Sequence, residues 1–312
     1  MMIKQTLYFG NPAYLSLKNK QMVIRLPEVE KNDTLPDSFK QNAAATRPVE
    51  DIGVVILDHR QITVTHGLLT ALLENNAAII HCNDTHHPVG LMLNLDGHTL
   101  QTQRFKAQIE ASEPLKKQLW QQTVVRKIEN QAALLQFIKK DVKPLEFMIR
   151  NVKSGDPDNF EARAAAYYWG QLFSEKISGF TRNRDGAPPN NMLNYGYAIL
   201  RAAVARALVG SGLLPTLGIF HRNQYNAYCL ADDVMEPYRP FVDRAVLEYI
   251  QSGKEIPEIL NLDAKQHLML VLQQDIIFDK DRSPLMVGLT KTTASLSACF
   301  EGTKRKINYP AI

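Results

Sequence analysis

The chain has 312 residues, 45% of them hydrophobic and 22% charged, enough apolar material for one large core or two smaller ones, which excludes disorder and fibrous repeats. Lysine and arginine total 36 against 32 aspartates and glutamates, a net charge of +4, too mild by itself to argue for a nucleic-acid partner. No apolar run reaches the roughly 18 residues of a membrane span and the start lacks a signal-peptide pattern, so the expected location is cytoplasmic.

The first part of the chain reads as strands. "TLYFG", "YLSLKN", "KQMVIRL", "VVILD", "QITVT" and "AAIIHC" are short, β-branched or alternating, and separated by Asn, Asp, Gly or Pro. One helix interrupts them: in "THGLLTALLENN" Thr65 can cap the start, Leu68, Leu69, Leu72 and Leu73 share a face, and Asn75-Asn76 can end it. Residues 27–50 lack periodicity and are expected to form a long mobile loop. "HCNDTHHP", from His81 to Pro88, gathers histidines with a cysteine and an aspartate, but no metal-ligand spacing backs it, and a strand end followed by a polar turn is the better reading. Cys82, Cys229 and Cys299 have no C-x-x-C spacing and are expected to be buried thiols rather than a disulfide framework or zinc knuckle.

From about Leu100 the pattern becomes helical. Basic residues concentrate there: Arg104, Lys106, Lys116, Lys117, Arg126, Lys127, Lys139, Lys140, Lys143, Arg150 and Lys153 read first as a solvated helix face and second as a phosphate track. "LKKQLWQQTVVRKIENQAALLQFIKK" places Leu115, Leu119, Ile128, Ala132 and Leu135 at helical spacings, and "NNMLNYGYAILRAAVARALVGSGLLP" is a long helix stopped by its Gly-Ser-Gly. The fold class expected is α+β: a small β-rich N-terminal domain, residues 1–97, followed by a larger all-helical domain, residues 98–312.

Two helical stretches carry candidate chemistry. In "DPDNFEARAAAYYWGQLF", Asp158 with Glu161 three residues on reads as a capping-box variant. In "GIFHRNQYNAYCLADDVMEPYRP", Asp233 and Glu236 fall on one helical face with Arg239 continuing the row, so an ion pair from either acid to Arg239 is the plain structural reading. Pro237 suits the first turn of the next helix, whose buried side is Phe241, Val242, Ala245, Val246, Tyr249 and Ile250. Taken together, His221 and these carboxylates meet near a helix junction with Asn223, Gln224 and Asn226 available to orient them, while Asp232 reads as solvated. Mixed oxygen and nitrogen ligation without thiolate suits Mg²⁺ or Mn²⁺ over structural zinc, and such a site suits phosphoryl chemistry.

"KIENQAALL", "NFEARAAAYYW" and the run from "NNMLNYGYAIL" to "YRPFVDRAV" resemble the CRISPR-associated integrase of spacer acquisition, protein one of that system, in the subgroup that accompanies single-protein effector nucleases. The resemblance runs from the β-rich start to about Leu289; the 27–50 loop and the tail after Lys291, expected to be flexible, are less characteristic. It implies a metal triad of Glu161, His221 and Glu236 binding Mg²⁺ or Mn²⁺, with glutamate standing at the last position where many family members have aspartate. It further implies Asp233, Arg239, Asn223 and Gln224 as supporting groups and Arg163, Arg182 and Arg184 as DNA contacts. The implied activity is insertion of short DNA duplexes into a CRISPR array by 3′-hydroxyl transesterification. The implied partners are double-stranded DNA, a second copy of the chain joined through the β-rich domain, CRISPR-associated protein two in a heterohexamer, and the effector nuclease. A metal-dependent nuclease on branched or single-stranded DNA, and a non-catalytic DNA-binding scaffold, stay open as alternatives.

Overall fold

The computed structural model describes residues 4–30, 36, 44–278 and 281–312. In the first unit, Met1–Gly97, the short apolar segments pair into two sheets. One orders β1 (Gln5–Phe9), β5 (Ile52–Leu57), β7 (Ala78–Cys82) and β8 (Pro88–Met92), the first three parallel and the last antiparallel. Every residue of β5 is buried, as befits an unbroken apolar strand paired on both edges. The other sheet orders β4 (Ala45–Pro48), β3 (Gln21–Arg25), β2 (Ala13–Lys18) and β6 (Ile62–Val64). β2 and β3 are joined through Asn19 and Lys20, whose φ angles of 50° and 60° suit the turn that matches the right-handed strand twist.

Of the 27–50 stretch, residues 31–35 and 37–43 lie outside the described residues, and its flanks are regular: a helical turn, α1 (Pro27–Glu30), and β4. The helix α2 (His66–Glu74) buries Leu68 and Leu72 in a core with Leu15, Met22, Ile52, Val55 and Ile79. Thr65 sits at its N-cap without a side-chain capping bond, whereas Asn75 closes the other end by donating to the Ala71 carbonyl at 2.8 Å. "HCNDTHHP" is a strand end and turn: His86 adopts φ 61° and meets the buried carboxylate of Asp58 at 2.8 Å. Cys82 is only half-buried, unlike Cys229 and Cys299.

The second unit, His98–Ile312, is built on two long helices, α4 (Glu113–Phe137) and α7 (Asn190–Gly210). Around them lie α3 (Gln101–Ile109), α5 (Lys143–Asn151), α6 (Phe160–Leu172), α8 (Cys229–Met235), α9 (Arg239–Gln251), α10 (Leu262–Met269) and α11 (Leu285–Phe300). α4 packs against α6, the 3₁₀ turn Glu236–Tyr238 and α9, and α7 against α8, α9, α10 and α11. The small residues of α7 bring backbones close, since a Cβ on Gly196 would run into Val242 of α9. Pro237 falls within the 3₁₀ turn, and the first turn of α9 holds Pro240 instead. The unit is not all-helical: β9 (Asp275–Phe278) pairs antiparallel with β10 (Asp281–Pro284). The tail expected to be flexible is docked. Ile307 and Tyr309 are buried, Ala311 bridges to Ile277, and Asn130 of α4 holds the Pro310 carbonyl at 3.2 Å and the Ile312 N–H at 3.3 Å. Side-chain amides on a buried helix face supply partners that a free tail would have taken from water. Among the described residues no helix is long and apolar enough to cross a membrane.

Candidate active site

Glu161 stands in the first turn of α6, and its placement is set by a different acid from the one the capping pattern suggests. Asp156, not Asp158, caps this helix: its carboxylate accepts from Phe160 N–H at 2.9 Å and Glu161 N–H at 2.8 Å. Asp156 and Asn159 reach that geometry with φ 48° and 53°, a left-handed bend that Asp and Asn tolerate better than most residues. Asp158 instead pairs with Lys153 at 3.2 Å. Relieved of capping duty, the Glu161 side chain faces α4.

His221 is held by Asp233, whose side chain is wholly buried in α8. One Asp233 oxygen accepts from the backbone N–H groups of Ile219 at 2.7 Å and Phe220 at 3.0 Å; the other takes the His221 N–H at 3.2 Å and its Nδ1 at 2.5 Å. One carboxylate thus folds the loop and orients the ring, leaving Nε2 as the outward nitrogen. The hydrogen bond from Asp233 raises the imidazole pKa above its ordinary value, against burial that lowers it. Trp120 meets the ring edge-on at 5.7 Å, and Phe220 stacks on Trp120 at 4.2 Å.

Glu236 opens the 3₁₀ turn between α8 and α9, and its Oε1 accepts from Arg239 Nε at 2.8 Å. Its Oε2 forms an ion pair with Lys127 Nζ at 2.6 Å and has no other partner among the described residues. The same ammonium donates to Glu161 Oε1. Burial pushes the Glu236 carboxyl up, but Arg239 and Lys127 outweigh it and hold it well below the usual carboxylate range. Burial would likewise lower the Lys127 pKa, and the facing carboxylates of Glu236 and Glu161 raise it instead. Lys127, Gln131, Glu161, Trp169, Arg182, Tyr197, Glu236, Arg239 and Asp243 line one cavity of about 220 Å³.

The structure therefore brings Glu161, Glu236, Arg239 and Arg182 to one cavity, while His221, Asn223 and Gln224 line a neighbouring one of about 470 Å³. Among the described residues no three His, Cys, Asp or Glu side chains are gathered closely enough to hold a metal ion. Lys127 occupies the place between Glu161 and Glu236 that a cation would take. The donor chemistry there fits one: two carboxylates share a positive charge, and among the described residues the buried acceptor Gln131 Oε1 lacks a hydrogen-bond donor.

Several sequence expectations change here. Among the described residues no hydrogen bond joins Asn223 or Gln224 to His221; Asn223 Oδ1 accepts instead from Tyr225 N–H at 2.9 Å. Asp232 is not solvated but buried, bonded to Arg201 Nε at 2.7 Å and Asn226 Nδ2 at 2.6 Å. Of the two acids offered for an ion pair with Arg239, Glu236 makes it. Arg163 is exposed and stacks over Phe160 at 4.7 Å, away from the cavity lining, and Arg184 is exposed. Lys127, read as part of a solvated basic face, is buried. Its signal was present in the polar residues Thr123, Lys127, Asn130 and Gln131, which follow helical spacing along a helix flanked by Trp120, Val124, Ile128 and Leu134.

Comparison with known proteins bears on the fold and the family of the chain. A family model described as CRISPR associated protein Cas1 matches residues 7–270. The chain is 38% identical over 296 residues to the CRISPR-associated endonuclease Cas1 of Neisseria meningitidis serogroup C (strain 8013), covering 94% of this chain and 91% of that protein. It is 33% identical over 205 residues to a CRISPR-associated endonuclease Cas1 of Francisella tularensis subsp. novicida (strain U112), covering 60% of this chain and 58% of that one. Among solved structures, a casposase bound to integration product superposes with a TM-score of 0.77 at 19% identity, over 99% of this chain and 93% of that chain. A Cas1 protein from Thermotoga maritima superposes with 0.74 at 16% identity, over 96% and 98%. Those two likenesses concern the fold, and the sequence matches go further: the chain belongs to the Cas1 family of CRISPR-associated proteins.

Proposed function

We propose that this chain is a metal-dependent DNA integrase of CRISPR adaptation, with Glu161, Glu236 and His221 as the ligands of a Mg²⁺ or Mn²⁺ ion. The observation that carries the reading is the pair of carboxylates, Glu161 and Glu236, sharing one buried ammonium in a cavity that also presents Arg182 and Arg239. The ion would supply Lewis acidity, favouring the ionised 3′-hydroxyl and neutralising charge at the attacked phosphorus. Asp233 keeps the His221 Nδ1 proton and so presents Nε2 as the donor atom. Arg239 spends its Nε on Glu236 and keeps its terminal N–H groups for a phosphate oxygen. In the reaction, the 3′-oxygen of a short duplex forms a new bond to phosphorus at the edge of a repeat, and the displaced 3′-oxygen leaves and takes up a proton. The number of phosphodiester bonds is conserved.

The partners follow the same reading. The β-rich unit, Met1–Gly97, would join two copies of the chain, and a small second CRISPR-associated protein would bridge dimers; a Cas6-RT-Cas1–Cas2 complex is among the structures of like fold, at a TM-score of 0.73 and 20% identity. Phosphate contacts from the basic helical unit would position DNA without reading its bases.

The relatives' name, endonuclease, favours a second reading in which water replaces the 3′-hydroxyl. A labelled duplex and a plasmid carrying the repeat separate the two: strand joining in Mn²⁺ supports the integrase, cleavage without joining supports the nuclease. Alanine at Glu161, His221 or Glu236 is expected to abolish either reaction while DNA binding stays within about twofold. Full activity of any folded variant removes that residue from the triad.

A further inference from the structure

Three side chains at the cavity, Tyr168, Tyr197 and Asp243, are used by neither the ligand assignment nor the family resemblance. Asp243 of α9 is buried, and each of its oxygens accepts from a tyrosine: Tyr197 Oη at 2.5 Å and Tyr168 Oη at 2.9 Å. The Tyr197 ring in turn lies beneath two cations, with the Arg239 guanidinium carbon 4.6 Å and the Arg182 carbon 5.4 Å from its centroid. Two guanidiniums gathered at one small cavity repel each other unless something holds them. An aromatic face attracts a cation, and a phenol bound to a carboxylate presents an electron-richer face.

Among the described residues the side-chain hydrogen bonds of Arg182 go to neutral acceptors. Its Nη1 donates to Asn190 Oδ1 at 2.9 Å and to the Asn183 carbonyl at 3.0 Å, and its Nη2 donates to Asn194 Oδ1 at 2.7 Å. These bonds fix the plane of the guanidinium without neutralising it. Such a cation, fixed and without a salt bridge among the described residues, is prepared for an anion from outside. Arg239, the other member, is bound to Glu236 through Nε alone.

We propose that Tyr168, Tyr197 and Asp243 are positioning residues that hold Arg182 and Arg239 as a two-guanidinium clamp on one DNA phosphodiester, the linkage at the repeat edge. The proposal rests on the integrase reading for the choice of linkage, and its test does not depend on metal or turnover. Binding is measured in EDTA for the full chain with two duplexes, one natural and one carrying a single neutral methylphosphonate at that linkage. The wild-type chain is expected to lose about tenfold in affinity on the neutral duplex, the worth of a charge-assisted contact. Tyr197→Leu removes the ring and is expected to bind the natural duplex about tenfold more weakly, with the methylphosphonate penalty reduced to twofold or less. Tyr197→Phe keeps the ring and is expected to retain most of the penalty, which a merely structural loss would not distinguish.

If Tyr197→Leu weakens both duplexes equally, or leaves the penalty at tenfold, the clamp is refuted. Should that variant not fold, Asp243→Asn decides: the penalty is expected to fall below fivefold, and an unchanged penalty overturns the proposal. Strand transfer by the wild-type chain in Mn²⁺ is followed in parallel. Its absence with the binding penalty intact refutes the integrase reading and leaves the clamp, whereas transfer without any penalty refutes the clamp alone.

Discussion

Lys127 bonds two carboxylates with one ammonium, so its removal tests the cation site directly. Lys127→Met leaves Glu161 and Glu236 facing each other with no charge between them, and breaking a buried ion pair from one side costs about 3–5 kcal/mol. In EDTA the variant is therefore expected to melt well below the wild type. A divalent ion bound between the carboxylates contributes about 2.7 kcal/mol at a hundred times its Kd, and in the variant it no longer competes with the ammonium. Mn²⁺ is thus expected to raise the melting temperature of Lys127→Met more than that of the wild-type chain. Equal shifts in the two proteins would show that no ion enters between Glu161 and Glu236.

The element that decides where His221 points is α8 together with the loop before it, because Asp233 collects three backbone N–H groups and the imidazole. That wrapping requires Gly218, where a Cβ would lie 2.4 Å from the His221 carbonyl oxygen and 2.7 Å from Asp233 Oδ2. Gly218→Ala is expected to destabilise the chain by about 1–3 kcal/mol through this crowding and to displace His221. The check is denaturant unfolding together with the pH titration of the His221 ring by NMR: a ring freed from Asp233 titrates nearer the ordinary value, and an unaltered titration sinks the argument. Much of this element was legible in the sequence, since Asp233 and Glu236 share a helical face whatever their environment. The capping of α6 by Asp156 was not, because two left-handed residues, Asp156 and Asn159, shift the helix start away from the Asp-x-x-Glu pattern. Neither was the docked tail, whose partners on Asn130 lie about 180 residues away in sequence, beyond what periodicity can report.

At the scale of the whole molecule, the change of texture near Gly97 separates the β-rich unit from the helical one, and the small net charge conceals a buried cluster in the second. Local pattern predicts which residues are helical, but it does not say which charged side chains fold inward, and Lys127 and Asp243 are both inward. Asp243 makes the cluster visible in global stability. Burial pushes its carboxyl up to about 7, against the downward pull of the Tyr197 and Tyr168 hydroxyls and of Arg239 and Arg182. Because the folded-state pKa is raised, the folded chain binds a proton there that the unfolded chain has already released. The resulting stability is fully present below about pH 4 and is lost as pH rises through about 7. Asp243→Asn has nearly the same shape and does not titrate. The stability of the wild type relative to this variant is therefore expected to fall between pH 5 and pH 8, by on the order of 2 kcal/mol. Urea unfolding of both proteins at several pH values in EDTA measures the difference, with the Tyr197→Phe chain as a control in which one of the two phenol bonds is gone. Removing that bond pushes the Asp243 pKa further upward, so the fall should shift to higher pH in the Tyr197→Phe chain. A wild-type-minus-Asn difference that stays flat across this range would mean that Asp243 carries its charge throughout, balanced by Arg182 and Arg239 rather than held against burial.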